Sequence, residues 1–62
     1  MNMKFFEYHH LPQHLQDVSK PICDLALEIE RELAPGEEKI AGLRKLLEAK
    51  DCFVRAKLEQ TP

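Results

Sequence analysis

The second half of the chain, residues 37–59, carries apolar positions that form two separate helical stripes. Apolar spacings of three and four residues are typical of one face of an α-helix, and a surface helix normally carries a single such stripe. A helix with two stripes needs two partners, and the remaining sequence supplies only one further long helix. We therefore expect the second partner to be another copy of the chain. The first stripe contains Ile40, Leu43, Leu47 and Val54, and the second contains Gly42, Leu46, Ala49, Phe53 and Ala56.

The length of 62 residues allows one domain, residues 1–62, near the lower limit for independent folding. Chains of this size are usually stabilised by disulfides, by a metal or by oligomerisation. Cys23 and Cys52 lie near the middles of the two predicted helices, so they form either one disulfide or two buried thiols. The apolar run at the N-terminus is too short for a signal peptide or a membrane span, which favours an intracellular, soluble protein.

The distribution of charge separates the two halves of the chain. The formal net charge of −2 argues against the broad basic surface with which proteins bind long nucleic acid. Residues 12–34 are mainly acidic and residues 39–58 are mainly basic, which suits antiparallel pairing of two helices within or between chains. Basic helices that face inward in an assembly would also form small anion-binding pockets without a basic exterior.

The first predicted helix, residues 12–33, contains a proline near its middle. Pro21 removes a backbone hydrogen bond and restricts the residue before it to extended angles. The sequence therefore predicts either a short helix ending near Val18, with Ser19 capping a second helix from Lys20, or one kinked helix.

The remaining elements follow from the turn signals and complete the predicted fold. An N-terminal arm, residues 1–10, precedes the first helix, and the turn Ala34-Pro35-Gly36 precedes the second helix, residues 37–59. Because this turn is short, the two long helices are expected to be antiparallel. The expected fold class is all-α: an antiparallel two-helix hairpin with an aromatic arm and a short first helix, assembled into a homo-oligomer.

Sequence signatures of catalysis and of metal binding are both lacking. The chain contains no glycine-rich phosphate loop, no HExxH and no nucleophile elbow, so we expect a protein that is not an enzyme and has no cofactor. His10 and His14 are four residues apart and His9 is adjacent, but Pro12 lies between them. No Cys or acid completes a ligand set at suitable spacing, so no metal site is expected.

Lys50 occupies an apolar-spaced position of the first stripe, between Leu47 and Val54. A lysine at such a position must extend to solvent, pair with an acid or face an anion. Two interpretations remain open. Lys50 either forms an ion pair with Asp24 or Glu28 of the opposite helix, or it binds an anionic ligand.

Two arginines of the second helix are further candidates for binding anions. Arg44 and Arg55 share a third stripe with Glu48 and Asp51, at spacings of four, three and four residues. Such residues can pair with one another along the helix and form a solvated face. In a symmetric assembly, one arginine per subunit near an axis would instead form a ring of guanidinium groups suited to phosphates.

The arm combines aromatic side chains with nearby cations. Phe5, Phe6 and Tyr8 lie close together, His9 follows directly, and Lys20 comes some distance behind. Three aromatic residues ahead of a helix predict that the arm packs on the same chain or on a neighbour, with both phenylalanines in the core. Aromatic planes and cations also recognise the bases and phosphates of small nucleotides, so the sequence leaves Tyr8 open between packing and binding.

The order of these elements resembles a known family. An arm of the form FxYHxxP leads into a helix ending in LALEIERELAPG, and EEKIAGLRKLLEAKDCFVRA follows, so the likeness spans Phe6 to about Leu58. This arrangement resembles the small phage helical-hairpin proteins that sequester bacterial immune second messengers, the anti-CBASS and anti-Thoeris sponges. The resemblance implies intertwined oligomers, often hexamers, acting in the cytoplasm of an infected bacterial cell.

The resemblance also implies ligands and residue roles. Members of the family bind cyclic dinucleotides or related cyclic nucleotides between subunits without cleaving them, and some hold cyclic trinucleotides near a three-fold axis. In their dinucleotide pockets an aromatic residue of the arm stacks on a base, which Tyr8 matches. A basic residue of the first helix meets a phosphate. That residue is expected near Ser19, and here Lys20 is the neighbouring lysine and is followed by Pro21. Arg55 resembles the basic residue of the C-terminal helix.

Two functions are therefore expected. The first is a phage anti-defence protein that sequesters cyclic di- or trinucleotides or cyclic ADP-ribose-type signals at subunit interfaces. The second is a small helical adaptor or inhibitor that docks on a host protein through its free apolar stripe. Neither function involves long nucleic acid or a membrane.

Overall fold

Two long α-helices form most of the chain, as the spacing of its apolar residues predicts. The computed structural model describes residues 2–60, in which helix α1 spans Gln13–Glu32 and helix α2 spans Glu37–Gln60. A short 3-10 helix, Met3–Phe6, precedes them, and the described residues contain no strand. The predicted all-α hairpin is thus confirmed. Met1 of the predicted arm and residues 61–62 of the predicted domain lie outside the described residues.

Helix α1 is continuous through its proline. Pro21 lies inside α1 on the exposed side, so the separate short helix ending near Val18 is not present. The buried positions before and after it, such as Leu15 and Cys23, lie on one face of α1. Burial of this face by a continuous helix outweighs the one backbone hydrogen bond that Pro21 removes. Ser19 is a fully buried interior residue rather than a cap, and its Oγ has no hydrogen-bond partner within residues 2–60.

The turn between the helices is stabilised by a lysine side chain. The Nζ of Lys39 donates to the backbone carbonyls of Glu30, at 2.9 Å, and Leu33, at 2.7 Å, and lies 3.2 Å from the Glu30 carboxylate. Carbonyls at the end of a helix lack partners within the helix, so Lys39 supplies donors to the end of α1. Its side chain is only 8 % exposed, and these hydrogen bonds and the ion pair with Glu30 compensate for the burial of its charge.

The centre of the core joins all three helical elements. Phe6, Cys23, Ala26 and Leu43 form one buried cluster, and Tyr8 is among the half-buried residues packed against it. The expectation that Phe5 is also buried is wrong, since Phe5 is 59 % exposed. A single turn of 3-10 helix cannot direct two adjacent side chains at the same core.

The two cysteines are both free thiols in different environments. Cys23 is buried in the core cluster, whereas Cys52 is exposed on α2. The predicted pair of buried thiols is therefore half right, and no disulfide joins the two residues.

The second apolar stripe of α2 has no covering element among residues 2–60. Ile29 and Leu33 of α1 border a groove with Gly42 and Leu46 of this stripe, and Leu25 lines a neighbouring groove formed by α1 alone. Phe53 is 55 % exposed, Leu33 is 54 % exposed and Leu25 is 46 % exposed. No helix of the described chain combines the length and the apolar character required to cross a bilayer. We call the second stripe of α2 together with the neighbouring aliphatic residues of α1 the outer face. It consists of Leu25, Ile29, Leu33, Gly42, Leu46 and Phe53.

Candidate ligand-binding grooves

The N-terminal segment, residues 2–11, lies against the hairpin and borders two grooves. Backbone hydrogen bonds shape it: the amide of Glu7 donates to the carbonyl of Lys4, and the amide of Leu11 donates to the carbonyl of Tyr8. Phe6 anchors the segment in the core, which sets the position of the side chains before and after it. The residues flanking Phe6 therefore form a wall shared by the two grooves.

The first groove, which we call the basic groove, lies between the N-terminal segment and the C-terminal half of α2. Its volume of about 390 Å³ falls in the range of small-molecule sites. Three cationic side chains line it against two carboxylates, which leaves an excess of positive charge. The lining residues are Lys4, Phe5, Glu7, His10, Leu11, Lys50, Asp51, Val54 and Arg55.

Lys50 is the most enclosed cation of the basic groove. Its side chain is 12 % exposed, and its Nζ donates to the backbone carbonyl of Phe5 at 2.9 Å and lies 3.2 Å from the carboxylate of Asp51. The predicted ion pair with Asp24 or Glu28 is wrong. The N-terminal segment brings a carbonyl within reach of Lys50, and Asp24 pairs with a lysine of its own helix.

Arg55 is an exposed cation of the basic groove. Its Nη2 lies 3.3 Å from the Sγ of Cys52, one turn earlier on α2. The predicted pairing of Arg44 and Arg55 with Glu48 and Asp51 is not found within residues 2–60, and Asp51 pairs with Lys50 instead. A thiol is a weak acceptor, so the guanidinium keeps most of its donors for other groups.

The second groove, which we call the aromatic groove, lies between the N-terminal segment and α1, with a volume of about 410 Å³. The rings of Tyr8 and His9 are stacked, with centroids 4.3 Å apart and planes inclined by 25°. Cys23 is also part of this groove, and burial raises the pKa of its thiol, to which the charges of Asp24 and Glu7 add. The thiol therefore remains protonated at neutral pH. The lining residues are Asn2, Met3, Lys4, Glu7, Tyr8, His9, Cys23 and Leu27.

The other two candidate cations, Lys20 and Arg44, line neither groove. Lys20 is exposed and pairs with Asp24 at 2.9 Å. The hydrogen bond and charge of Asp24 raise the pKa of the Lys20 ammonium, and the proximity of Tyr8 adds to this effect. Arg44 lies three turns before Arg55 on α2, roughly 16 Å along the helix axis, so one chain cannot bring both to one small ligand.

The structure thus brings the predicted residues together in two pairs, Tyr8 with His9 and Lys50 with Arg55. Sequence reasoning missed Lys4 and Glu7, which line both grooves. The only signal for Lys4 was its position as the single cationic residue among the aromatic residues of the arm.

Two further comparisons bear on the grooves: the search for grouped metal ligands and the comparison with known proteins. Within residues 2–60, no three His, Cys, Asp or Glu side chains are grouped in a way that could hold a metal ion. Comparison with protein families, with characterised proteins and with solved structures finds no match to this chain.

The contact between Lys50 and Phe5 should hold the N-terminal segment in place. Replacing Lys50 by methionine keeps the apolar stem but removes the donor to this carbonyl, which is worth about 1.5 kcal/mol for a charged donor. Amide hydrogen exchange in residues 3–8 should then accelerate roughly tenfold. Lys45→Met, which removes an exposed charge from the same helix, is the matched control. Equal exchange in both variants would show that the segment does not depend on Lys50.

Proposed function

We propose that this protein is a non-enzymatic sponge, a phage anti-defence protein that binds and sequesters a cyclic nucleotide signal. The observation that carries the proposal is the adjacency of two grooves across one wall, one lined by cations and the other by a stacked aromatic pair. A cyclic oligonucleotide or a cyclic ADP-ribose-type molecule combines the same two features, since it carries phosphates and flat bases in one small ring.

The basic groove is the proposed site for phosphate. Arg55 offers a planar set of donors that matches two phosphate oxygens at once. Lys4 on the opposite wall adds a second charge, and Lys50 contributes positive potential while holding the wall in place. Because the groove is partly enclosed by apolar side chains such as Val54, its field is screened less than that of an open surface.

The aromatic groove is the proposed site for a base. Stacking of a base on an aromatic ring contributes about 1–3 kcal/mol and tolerates different bases. The exposed ring of His9 already stacks on Tyr8, so a base would extend this stack or displace His9 from it. Lys20 lies near Tyr8 on the solvent side, where it could meet a second phosphate.

Sequestration needs affinity and stoichiometry but no catalytic group. Both grooves are open to solvent in a single chain, and a neighbouring subunit would enclose a ligand that one chain only partly covers. The proposal therefore includes a homo-oligomer, a hexamer by resemblance, in which Arg44 contributes from a symmetry-related copy.

Isothermal titration with a panel of cyclic di- and trinucleotides and cyclic ADP-ribose isomers tests the proposal. Tight binding of one compound, recovered intact after denaturation of the protein, is the expected result. Tyr8→Ala should weaken that binding by roughly 5- to 150-fold, which corresponds to the loss of one stacking contact. Arg55→Gln should weaken it by roughly tenfold or more, and Lys45→Gln is the matched control with a charge outside both grooves.

The outcome that would sink the proposal is the absence of binding to every compound of the panel by a folded protein. Unchanged affinity in Tyr8→Ala together with Arg55→Gln would instead refute the assignment of the two grooves.

The outer face favours a second candidate function, a helical adaptor that docks on a host protein. Its exposed aliphatic and aromatic side chains, Leu25, Leu33 and Phe53, form the kind of surface that partners cover. This function requires a protein that is monomeric alone and binds its partner through the outer face.

A further inference from the structure

We infer that Glu7 selects the base of the ligand, because its carboxylate accepts the two neighbouring N–H donors of a guanine that stacks in the aromatic groove. The protein then prefers cyclic nucleotides that contain guanine to those that contain only adenine. This inference rests on the proposed function and deepens it by naming the base that the aromatic groove takes.

The position of Glu7 is fixed between the two grooves. Glu7 lines both of them, and its neighbours in the sequence are the fully buried Phe6 and Tyr8, which packs against the core cluster. Its backbone amide donates to the carbonyl of Lys4 at 3.1 Å. The backbone of Glu7 is therefore held on both sides, and its side chain starts from a defined point beside the stacked rings of Tyr8 and His9.

The carboxylate of Glu7 is available to a ligand. Two carboxylates line the grooves, and that of Asp51 lies 3.2 Å from the Nζ of Lys50. The carboxylate of Glu7 forms no hydrogen bond and no ion pair with any residue between positions 2 and 60, although Lys4 and Arg55 line the same basic groove. An exposed carboxylate without a partner in the chain can accept hydrogen bonds from a bound molecule.

The charge of Glu7 also acts on the aromatic groove. Burial of Cys23 is the largest cause that raises the pKa of its thiol, followed by the charge of Asp24 and then by that of Glu7. Cys23 lines the aromatic groove and not the basic one. The carboxylate of Glu7 is thus close enough to the aromatic groove to meet the edge of a base that stacks there.

The chemistry of a carboxylate favours guanine over the other bases. An ionised carboxylate only accepts hydrogen bonds, and its two oxygens can accept two parallel donors. The Watson–Crick edge of guanine offers two donors side by side, the N1–H and the N2 amine. Adenine and cytosine each place a ring-nitrogen acceptor beside a single amine, and uracil places its N–H between two carbonyls. A carboxylate would repel these acceptors, so guanine is the base that Glu7 matches.

The same charge disfavours ligands that do not make this contact. A carboxylate beside a phosphate site repels every anionic ligand, so Glu7 weakens the binding of an adenine compound without compensation. A guanine compound offsets this repulsion with two charge-assisted hydrogen bonds. Specificity is a difference between affinities, and Glu7 acts on both sides of that difference.

Isothermal titration with three compounds that differ only in their bases tests this inference. A good bidentate contact discriminates against the wrong base by roughly 5- to 150-fold, and for an exposed residue such as Glu7 we expect a preference of about tenfold for cyclic di-GMP over cyclic di-AMP. Cyclic di-IMP keeps the N1–H of guanine but lacks the N2 amine. Its affinity should therefore fall between those of the other two compounds.

Glu7→Gln distinguishes base selection from a simple effect of charge. The carboxamide has one acceptor and one donor, which match the N6 amine and the N1 acceptor of adenine. This variant should bind cyclic di-GMP roughly tenfold more weakly and cyclic di-AMP more tightly than the unmodified chain does. Removal of a repulsive charge alone would instead strengthen the binding of both compounds by the same factor. Glu48→Gln removes one charge from α2 outside both grooves and should leave the ratio of the two affinities unchanged.

The outcomes separate this inference from the proposed function. Glu7 is exposed, so its variants should keep the helical circular dichroism of the unmodified chain. Equal affinity for cyclic di-GMP and cyclic di-AMP, or a preference for adenine, would overturn the role of Glu7 and leave the sponge intact. A Glu7→Gln variant that binds both compounds more tightly by one factor would do the same. A folded chain that binds no cyclic nucleotide would overturn both proposals together.

Discussion

Replacement of Leu43 by alanine is expected to lower the free energy of unfolding by about 2–5 kcal/mol. Leu43 is 1 % exposed and is the only fully buried large side chain that α2 contributes within residues 2–60. Domains of this size have a total stability of about 3–9 kcal/mol, by a scaling of roughly 0.05–0.15 kcal/mol per residue. A large fraction of the Leu43→Ala chains should therefore be unfolded at 25 °C, which urea titration followed by circular dichroism would measure.

The matched control for this prediction is Ile40→Ala, on the same helix and also aliphatic. Ile40 is 40 % exposed, so its truncation removes less buried surface and should cost less than half as much. All variants must be compared at one protein concentration, since the stability of an assembly depends on it. Equal losses of unfolding free energy in the two variants would mean that Ile40 is as buried as Leu43 in the protein in solution.

Leu43 also connects stability to the candidate site. It shares one cluster with Phe6, which anchors the N-terminal segment between the two grooves. Loss of the Leu43 side chain should therefore accelerate amide exchange in the segment more than in the centre of α2. The wall of both grooves depends on the same small core that holds the hairpin together.

The two helices and their turn could be predicted from sequence because their signals are periodic and local. Apolar spacings of three and four identify the helical faces, and Pro35-Gly36 marks the turn: α1 ends at Glu32, three residues before Pro35, and α2 begins at Glu37, directly after Gly36. Continuity at Pro21 could not be predicted, because it depends on whether buried contacts on the opposite side of the helix exceed the loss of one hydrogen bond.

The candidate site was less predictable because it depends on the path of the N-terminal segment. Spacing on α2 marked Lys50 as unusual, but its acceptor is a backbone carbonyl of Phe5, 45 positions away in the sequence. Which of two adjacent phenylalanines is buried also follows from that path and from no periodic signal. Lys4 and Glu7 become site residues only because the segment presents them to grooves on both of its sides.

Replacement of Pro21 by alanine is expected to raise the free energy of unfolding by up to about 3 kcal/mol. In an α-helix the amide of residue 21 would donate to the carbonyl of Asp17, and proline has no such donor. Pro21 is exposed and lies inside the continuous helix α1, so alanine fits without displacing any buried side chain. Thermal unfolding followed by circular dichroism should show an increase in Tm of several degrees.

Pro35→Ala provides a control in which the same exchange should have the opposite sign. Pro35 lies in the turn between α1 and α2, where its rigid ring restricts the unfolded chain, so alanine there should lower stability by up to about 1 kcal/mol. An unchanged or lower Tm for Pro21→Ala would mean that water already satisfies the Asp17 carbonyl. A higher Tm would mean that the chain retains a destabilising residue one position after Lys20. Proteins keep such residues where the local backbone serves a site, so nucleotide binding by the stabilised variant is the measurement that would link Pro21 to function.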